Sequence, residues 1–195
     1  MTDTTLTVRP TMLDDLVLRA AAENLVDVAY TTMDSPLGTL LLAATPVGLV
    51  RIAYEDGADL DDVLRDLSTR VSPRVLASTA RLQPVMRQLD GYFSHELKRF
   101  DLQLDWRLAG QFTRRVLNYT SRIPYGRSTT YGEVARDIGA PQASRAVGNA
   151  LGANPIPVVI PCHRVLRSGG ALGGYGGGIE RKRLLLDLER EPGAA

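Results

Sequence analysis

The stretch from Thr130 to Asn154, TYGEVARDIGAPQASRAVGNALGAN, confines this chain more than any other segment. Thr130, followed three residues later by Glu133, has the pattern of a capping box, in which a hydroxyl and a carboxylate satisfy the free N–H groups of a helix start. The helix so opened, Glu133 to Ile138, stops at Gly139. Pro141 then suits the first turn of a second helix, where its missing N–H is not needed. Two short helices joined by a glycine-containing turn form a helix-turn-helix. At the helical period, Ala143, Val147, Ala150 and Leu151 share one face of the second helix, with Arg145, Gly148, Asn149 and Gly152 opposite. Glycine inside a helix costs roughly 1 kcal/mol against alanine, so two on an exposed face ask for a reason. Close approach of a nucleic acid around Arg145 is one reason; tight packing inside the protein is the other.

Charge favours the first. The net charge of +1 conceals a division: residues 1–105 carry 10 basic against 16 acidic side chains, and residues 106–195 carry 13 against 6. A basic half joined to an acidic half suits a C-terminal part that meets a polyanion. With 44% hydrophobic and 23% charged residues the composition is that of a globular protein rather than a disordered one. MTDTTLTVRP lacks the basic and apolar pattern of a secretory signal, and no apolar run reaches the length of a membrane span. A single cysteine, Cys162, permits no internal disulfide and fits a reducing cytoplasm; with two distant histidines it cannot build a cysteine-rich zinc site.

The chain divides into an N-terminal extension over 1–27, with helical spacing at 11–25, a sheet domain over 28–106, and a C-terminal domain over 107–195, the boundary falling near Asp105–Leu108. In the sheet domain, Leu40–Ala44 and Leu49–Tyr54 are apolar runs separated by Pro-Val-Gly, and Pro36-Leu37-Gly38 precedes them, the pattern of an antiparallel sheet. Asp59–Thr69 and Leu82–Ser94 have helical spacing, and residues 100–104 alternate as a half-buried strand does. Past the boundary, Gln111–Ile123 reads as a helix, and Ile156–Ile160 as a short buried strand leading into Cys162.

Cys162 stands beside His163, one of only two histidines. Cysteine is among the most often buried residue types, so an inert thiol is the bland reading. A thiol becomes a nucleophile where a base, a cation or a helix N-terminus favours its thiolate, and His163 and Arg164 offer such surroundings. Adjacent side chains generally project in different directions, which argues against a direct Cys162–His163 hydrogen bond; a water between them would relax that constraint. A cysteine hydrolase leaves the helix-turn-helix without a purpose. A transcription factor leaves the cysteine without one.

PCHRV (161–165) resembles the active-site signature of the O6-alkylguanine-DNA alkyltransferases, also called methylated-DNA–protein-cysteine methyltransferases. YFSHELKRFDLQL (92–104), IPYGRSTTYGEVA (123–135), SRAVGNALGANPIPVVIPCHRV (144–165) and GGYGGG (173–178) resemble that family in the same order and spacing. The resemblance implies an α+β fold: an N-terminal ribonuclease H-like sheet domain and a helical, winged-helix-like C-terminal domain. It implies repair by direct reversal, in which the alkyl group of O6-alkylguanine, and with it O4-alkylthymine, is captured irreversibly by Cys162 without a cofactor. His163 becomes the base that deprotonates Cys162 through water, Glu189 the acid orienting His163, and Asn154 the hinge between recognition helix and active site. The target base is flipped out of the duplex, with Arg145 filling the vacancy from the minor groove. Tyr131 crowds the DNA backbone and offers its hydroxyl to the flipped base, while Thr130, Ala143, Ser144, Gly148, Asn149 and Ser168 line the DNA surface. Leu151, Val165, Tyr175, Gly176 and Gly177 form the substrate pocket, with the carbonyls of Cys162 and Val165 accepting from the guanine amino group. Family members often carry Ser where this chain has Gly176. The implied partner is double-stranded DNA with alkylated bases, met by a monomer, with cooperativity open and no membrane involved.

Two other classes stay in view at this point. A damage-recognition protein that flips the base without chemistry has no use for Cys162. A DNA-binding regulator that senses through Cys162 needs an effector region, and residues 1–27 offer little material for one.

Overall fold

Leu40–Ala44 and Leu49–Tyr54 become strands because both are apolar runs closed by a Thr45–Gly48 turn. The computed structural model describes residues 26–55 and 59–190, and the helix expected over 11–25 lies outside them. β1 (Val28–Met33) pairs antiparallel with β2 (Leu40–Ala44), and β2 with β3 (Leu49–Tyr54). A fourth strand that the sequence pattern did not announce, β4 (Val75–Ala77), adds to β1 in parallel. The sheet, ordered β3-β2-β1-β4, is therefore mixed rather than wholly antiparallel. A three-residue strand is too short to show a period of two.

The sheet buries both faces. Leu41, Ala43, Val50 and Ala53 pack with Val63 and Leu67 of α1 (Leu60–Arg70). Leu40, Leu42, Ile52 and Tyr54 face the other way, into a core shared with α2 (Gln83–Phe93) and with the whole C-terminal half.

Residues 100–104 do not form the expected strand. Only Leu104 bridges Leu49; the Leu49 N–H donates to the Gln103 carbonyl at 2.9 Å and the Asp105 N–H to the Leu49 carbonyl at 2.8 Å. The alternation of Phe100, Leu102 and Leu104 reflects a segment lying over the core, not a paired ladder. Asp105 then caps a short 3-10 turn, Trp106–Leu108, and accepts a buried hydrogen bond from the Thr45 hydroxyl at 2.6 Å.

The second half begins with α3 (Gln111–Thr120). The capping box forms as its residues require: Thr130 Oγ1 accepts from the Glu133 N–H at 3.2 Å, and Glu133 accepts from the Thr130 N–H at 2.7 Å. It opens α4 (Tyr131–Asp137), and α5 (Ser144–Gly152) follows. Pro141 is not in the first turn of α5. A separate turn, closed by the Ala143 N–H on the Ala140 carbonyl at 2.8 Å, stands between the helices. Thr129–Thr130 (β5) pairs in parallel with Val165–Leu166 (β6) beneath these helices, and α6 (Ile179–Leu188) closes the fold.

Ile156–Ile160 is buried but is not a strand. Val158 takes a left-handed φ of 71°, and Pro155, Pro157 and Pro161 withhold three N–H donors that a ladder would need. Asn154 replaces those bonds from its side chain, Oδ1 accepting from the Ile156 N–H at 3.0 Å and Nδ2 donating to the Ile160 carbonyl at 3.0 Å.

The close pass of residues 103–105 over β3 depends on Gly48, where a Cβ would stand 2.2 Å from the Gln103 carbonyl oxygen. Gly48→Ala is expected to destabilise the protein by more than about 1 kcal/mol, read from the urea midpoint. An unchanged midpoint would show that the sheet edge does not rely on this contact.

Candidate active site

Two short devices position Cys162 within the C-terminal half. Asn154 ties the loop after α5, and Pro161 leads into a 3-10 turn, Cys162–Arg164. Cys162 is 6% exposed and lines both of two adjoining cavities. The larger, of about 600 Å³, opens beside α5 and is walled by Tyr131, Arg145, Gly148, Asn149, Arg167 and Tyr175, among others. The smaller, of about 150 Å³, lies towards the sheet, between Tyr54, Pro157, Tyr175, Gly176 and Gly177.

α5 settles the question its glycines raised. Val147, Ala150 and Leu151 are buried while Arg145, Asn149 and Gly152 are exposed. A Cβ on Gly152 would meet nothing within 4 Å, and one on Gly148 would make only ordinary contact with the Tyr131 ring at 3.8 Å. Packing within the protein does not demand glycine at either position, so the face is left bare towards the solvent beside Cys162.

At the sulfur, Asn154 Nδ2 donates to Sγ at 3.2 Å. Burial pushes the thiol up, while that hydrogen bond, the charge of Lys182 and nearby backbone N–H groups pull against it without prevailing. The resting sulfur is a thiol. Arg164 does not supply the cation expected of it. Its guanidinium is spent on Glu189, with Nε donating to Oε2 at 2.8 Å and a terminal nitrogen to Oε1 at 2.7 Å. The cation that influences the sulfur is Lys182, fully buried, with Nζ donating to the Val165 carbonyl at 2.7 Å and the Gly174 carbonyl at 3.3 Å. Burial draws the Lys182 ammonium down to about 8.

His163 and Glu189 come together as expected, Nε2 of the imidazole lying 2.9 Å from Oε1 of the carboxylate. Glu189 is not a solvated helix carboxylate. It is 1% exposed and also accepts from the Tyr92 hydroxyl at 2.6 Å and the Gly126 N–H at 3.2 Å. Burial alone would raise its pKa, but the hydrogen bonds from His163 and Arg164 and the charge of Arg164 outweigh it and bring Glu189 to about 2. Burial lowers His163, helped by the positive charges of Arg164 and Lys182 and opposed by Glu189. A neutral imidazole donating Nε2–H to a carboxylate carries its lone pair on Nδ1, and this buried Nδ1 has no partner among the described residues. The site thus holds a protonated thiol and, on the adjacent residue, a base oriented to take a proton.

The remaining expected residues divide. Tyr131 lines the large cavity, its hydroxyl 3.4 Å from the Gly174 carbonyl, which it reaches because Gly173 has a φ of +68° and no side chain. Gly176 and Tyr175 line both cavities and Gly177 the smaller one. A Cβ on Gly176 would stand 3.2 Å from the Gly152 carbonyl oxygen, so a serine there must displace backbone. Ser144 and Leu151 line the large cavity as well, whereas Thr130, Ala143 and Ser168 do not. Val165 is fully buried and lines neither cavity. Its carbonyl is held by Lys182, and the Cys162 carbonyl accepts the Val165 N–H that closes the 3-10 turn.

Lys182, Arg167, Tyr92 and Tyr54 were not foreseen. For Lys182 the signal existed: Lys182, Leu185 and Glu189 recur at helical spacing and form the buried stripe of the last helix, two polar residues at core positions. Tyr92 and Tyr54 come from distant sequence and carried none. Among the described residues no helix is long and apolar enough to cross a membrane, and no group of three or more His, Cys, Asp or Glu is placed to hold a metal ion.

Known proteins resemble this arrangement over nearly all of the described chain. The family model for the ribonuclease-like domain of 6-O-methylguanine DNA methyltransferase matches residues 28–106, and that for its DNA-binding domain matches residues 111–191. The methylated-DNA–protein-cysteine methyltransferase of Mycolicibacterium paratuberculosis is 45% identical over 163 residues, covering 84% of this chain and 93% of that protein. A constitutive relative of the same name from Bacillus subtilis is 36% identical, covering 83% and 94%. Among solved structures, the Mycobacterium tuberculosis OGT in complex with DNA matches with a TM-score of 0.71 at 42% identity, over 83% of this chain and 92% of that one.

Acid is expected to unfold the protein through this cluster. The unfolded chain takes up protons at His163 below about 6.5 and at Glu189 below about 4.5, while the folded chain resists until lower pH; stability therefore falls as pH drops through 6.5 towards 2. Glu189→Gln leaves Arg164 buried without its anion and should cost about 3–5 kcal/mol. Melting curves between pH 5 and pH 2, the window in which Glu189 gains its proton only on unfolding, should flatten in the variant; an acid response there equal to that of wild type would refute this assignment.

Proposed function

We infer the roles of these residues from one premise, that the chain belongs to the 6-O-methylguanine DNA methyltransferase family. It is a methylated-DNA–protein-cysteine methyltransferase, an α+β protein that repairs DNA by taking the alkyl group of O6-alkylguanine onto its own cysteine. Cys162, the only cysteine of the chain, is the acceptor. The transfer forms a carbon–sulfur bond and breaks the bond from that carbon to O6, whose electrons stay with the guanine. A thioether is inert, so each molecule acts once.

The following roles are our proposal. DNA lies against the exposed face of α5, and Arg145 enters the stack as the damaged base turns out into the large cavity. The half-buried Gly148 and the exposed Gly152 support this, since a side chain at either would hold the helix away. His163 takes the proton of Cys162 through a bridging water by way of Nδ1, and Glu189 holds the imidazole in the tautomer that leaves Nδ1 free. Lys182 steadies the thiolate as it forms. Tyr131 offers its hydroxyl to the base as O6 gains charge, and a proton returned to the guanine completes the balance. Asn154 joins α5 to the sulfur through its bonds to Ile160 and Sγ. Gly148, Asn149 and Ser144 meet the DNA on α5, with Thr130, Ala143 and Ser168 flanking it; Leu151, Tyr175, Gly176 and Gly177 enclose the substrate. The same in-line attack extends to O4-alkylthymine, whose alkyl carbon also hangs on an exocyclic oxygen. The protein works as a monomer in the cytoplasm, where a reducing medium keeps a lone thiol free, and the residues 28–106 and 107–195 serve as its two domains.

The observation that carries this reading is a thiol lining a large cavity beside an exposed helix, with an oriented neutral histidine next to it. Incubation with O6-methylguanine duplex is expected to add about 14 Da, one CH₂, to the peptide containing Cys162. Intact and peptide masses check it, and an unmodified wild-type protein would defeat the assignment. Cys162→Ala should bind duplex and transfer nothing.

Arg145→Ala should slow repair in duplex by at least about tenfold, the scale of a lost unstacking aid of a few kcal/mol. Its reaction with free O6-benzylguanine should change little. Equal losses on the two substrates would remove Arg145 from base flipping.

A further inference from the structure

The smaller cavity shares Leu151, Gly152, Cys162, Tyr175 and Gly176 with the larger one, and a further wall comes from the N-terminal sheet. Tyr54, the last residue of β3, and Tyr175, from the loop over the thiol, place their hydroxyls 2.7 Å apart. Both rings line this cavity together with Cys162. The chain has shaped itself around the pair: a Cβ on Gly177 would fall 2.3 Å from the Tyr54 ring. Arg181 holds the arrangement from outside, its guanidinium 4.5 Å from the Tyr54 ring centre, with bonds to the Leu37 carbonyl at 2.7 Å and the Gly177 carbonyl at 2.9 Å.

Two phenols that share one hydrogen bond still own a second proton. One O–H lies between the two oxygens and the other remains to be given, since neither oxygen has another partner among the described residues. Burial raises both groups, Tyr54 to about 12, so both stay protonated at neutral pH. A volume of about 150 Å³ accommodates a group of benzene's size, well beyond a methyl. The contents of this space are the alkyl substituent, because a carbon bonded to Sγ must extend into one of the two cavities and the guanine fills the other.

Resting on the transfer reading above, we propose that the hydroxyl pair of Tyr54 and Tyr175 determines which alkyl groups are preferred. The pair donates one hydrogen bond to an oxygen at the end of a short alkyl group. The site then favours 2-hydroxyethyl adducts over hydrocarbon adducts of equal size. A propyl group leaves the spare O–H buried and unpaired, which is the more costly alternative.

The test is single-turnover transfer by the full chain from duplexes holding O6-methylguanine, O6-propylguanine or O6-(2-hydroxyethyl)guanine. Wild type should take hydroxyethyl faster than propyl by about fivefold, the factor one uncharged hydrogen bond provides. Tyr54→Phe alone leaves the Tyr175 O–H without its internal acceptor and so still able to donate; Tyr54→Phe/Tyr175→Phe, which removes both hydroxyls, should bring that ratio to about one while the methyl rate serves as reference. A wild-type ratio near one overturns the proposal whether or not the variant folds. So does a ratio unchanged by the double substitution. Absence of the methyl adduct on wild type would instead bring down the transfer reading itself.

Discussion

Everything around the sulfur is referred to one buried carboxylate. Glu189, at the end of α6, accepts from His163, from both arms of Arg164, from Tyr92 on α2 and from the backbone of Gly126 after α3. Those donors come from three separate parts of the chain. A single ion without these partners would be driven out of the interior or neutralised. With them, it fixes the orientation of the active-site turn to the helices on either side and sets the tautomer of the histidine. Structural and chemical duties are here the same interaction.

The electrostatics of the thiol follow from what that carboxylate consumes. Arg164 stands two residues from Cys162, yet its charge is neutralised locally by Glu189, so the sulfur does not feel a free guanidinium. Lys182 acts instead from the opposite side, and burial weakens its hold on its proton. The outcome is a thiol kept protonated at rest with a base and a cation in place. Such a site is quiet towards adventitious electrophiles and becomes nucleophilic when a substrate engages it.

Local signals carried most of the fold. Thr130 and Glu133 announced α4 from four residues, and the apolar runs gave β2 and β3 their ends, because capping and turn chemistry are decided by neighbours. The catalytic cysteine, its histidine and Glu189 were legible through resemblance, not through period or spacing. What was not legible is long-range. β4 joined the sheet by parallel pairing, which has no turn to mark it. Ile156–Ile160 looked like a strand because burial and strand share the same apolar composition, while Val158's left-handed backbone and Asn154's side-chain bonds have no such mark. Tyr54 reached the thiol only because the sheet's edge is laid against the second half.

β3 ends the sheet, and its outer side is engaged by Gln103 and Asp105 near Leu49 and by the Pro155 carbonyl, which accepts the Ile52 N–H at 2.8 Å. An uncovered strand edge invites pairing with other chains. The residue that covers this one next to the active site belongs to the loop that delivers Cys162, so parting the halves would unmask a sticky border and undo the reaction centre together. Separation of the halves is thereby penalised twice, in stability and in chemistry.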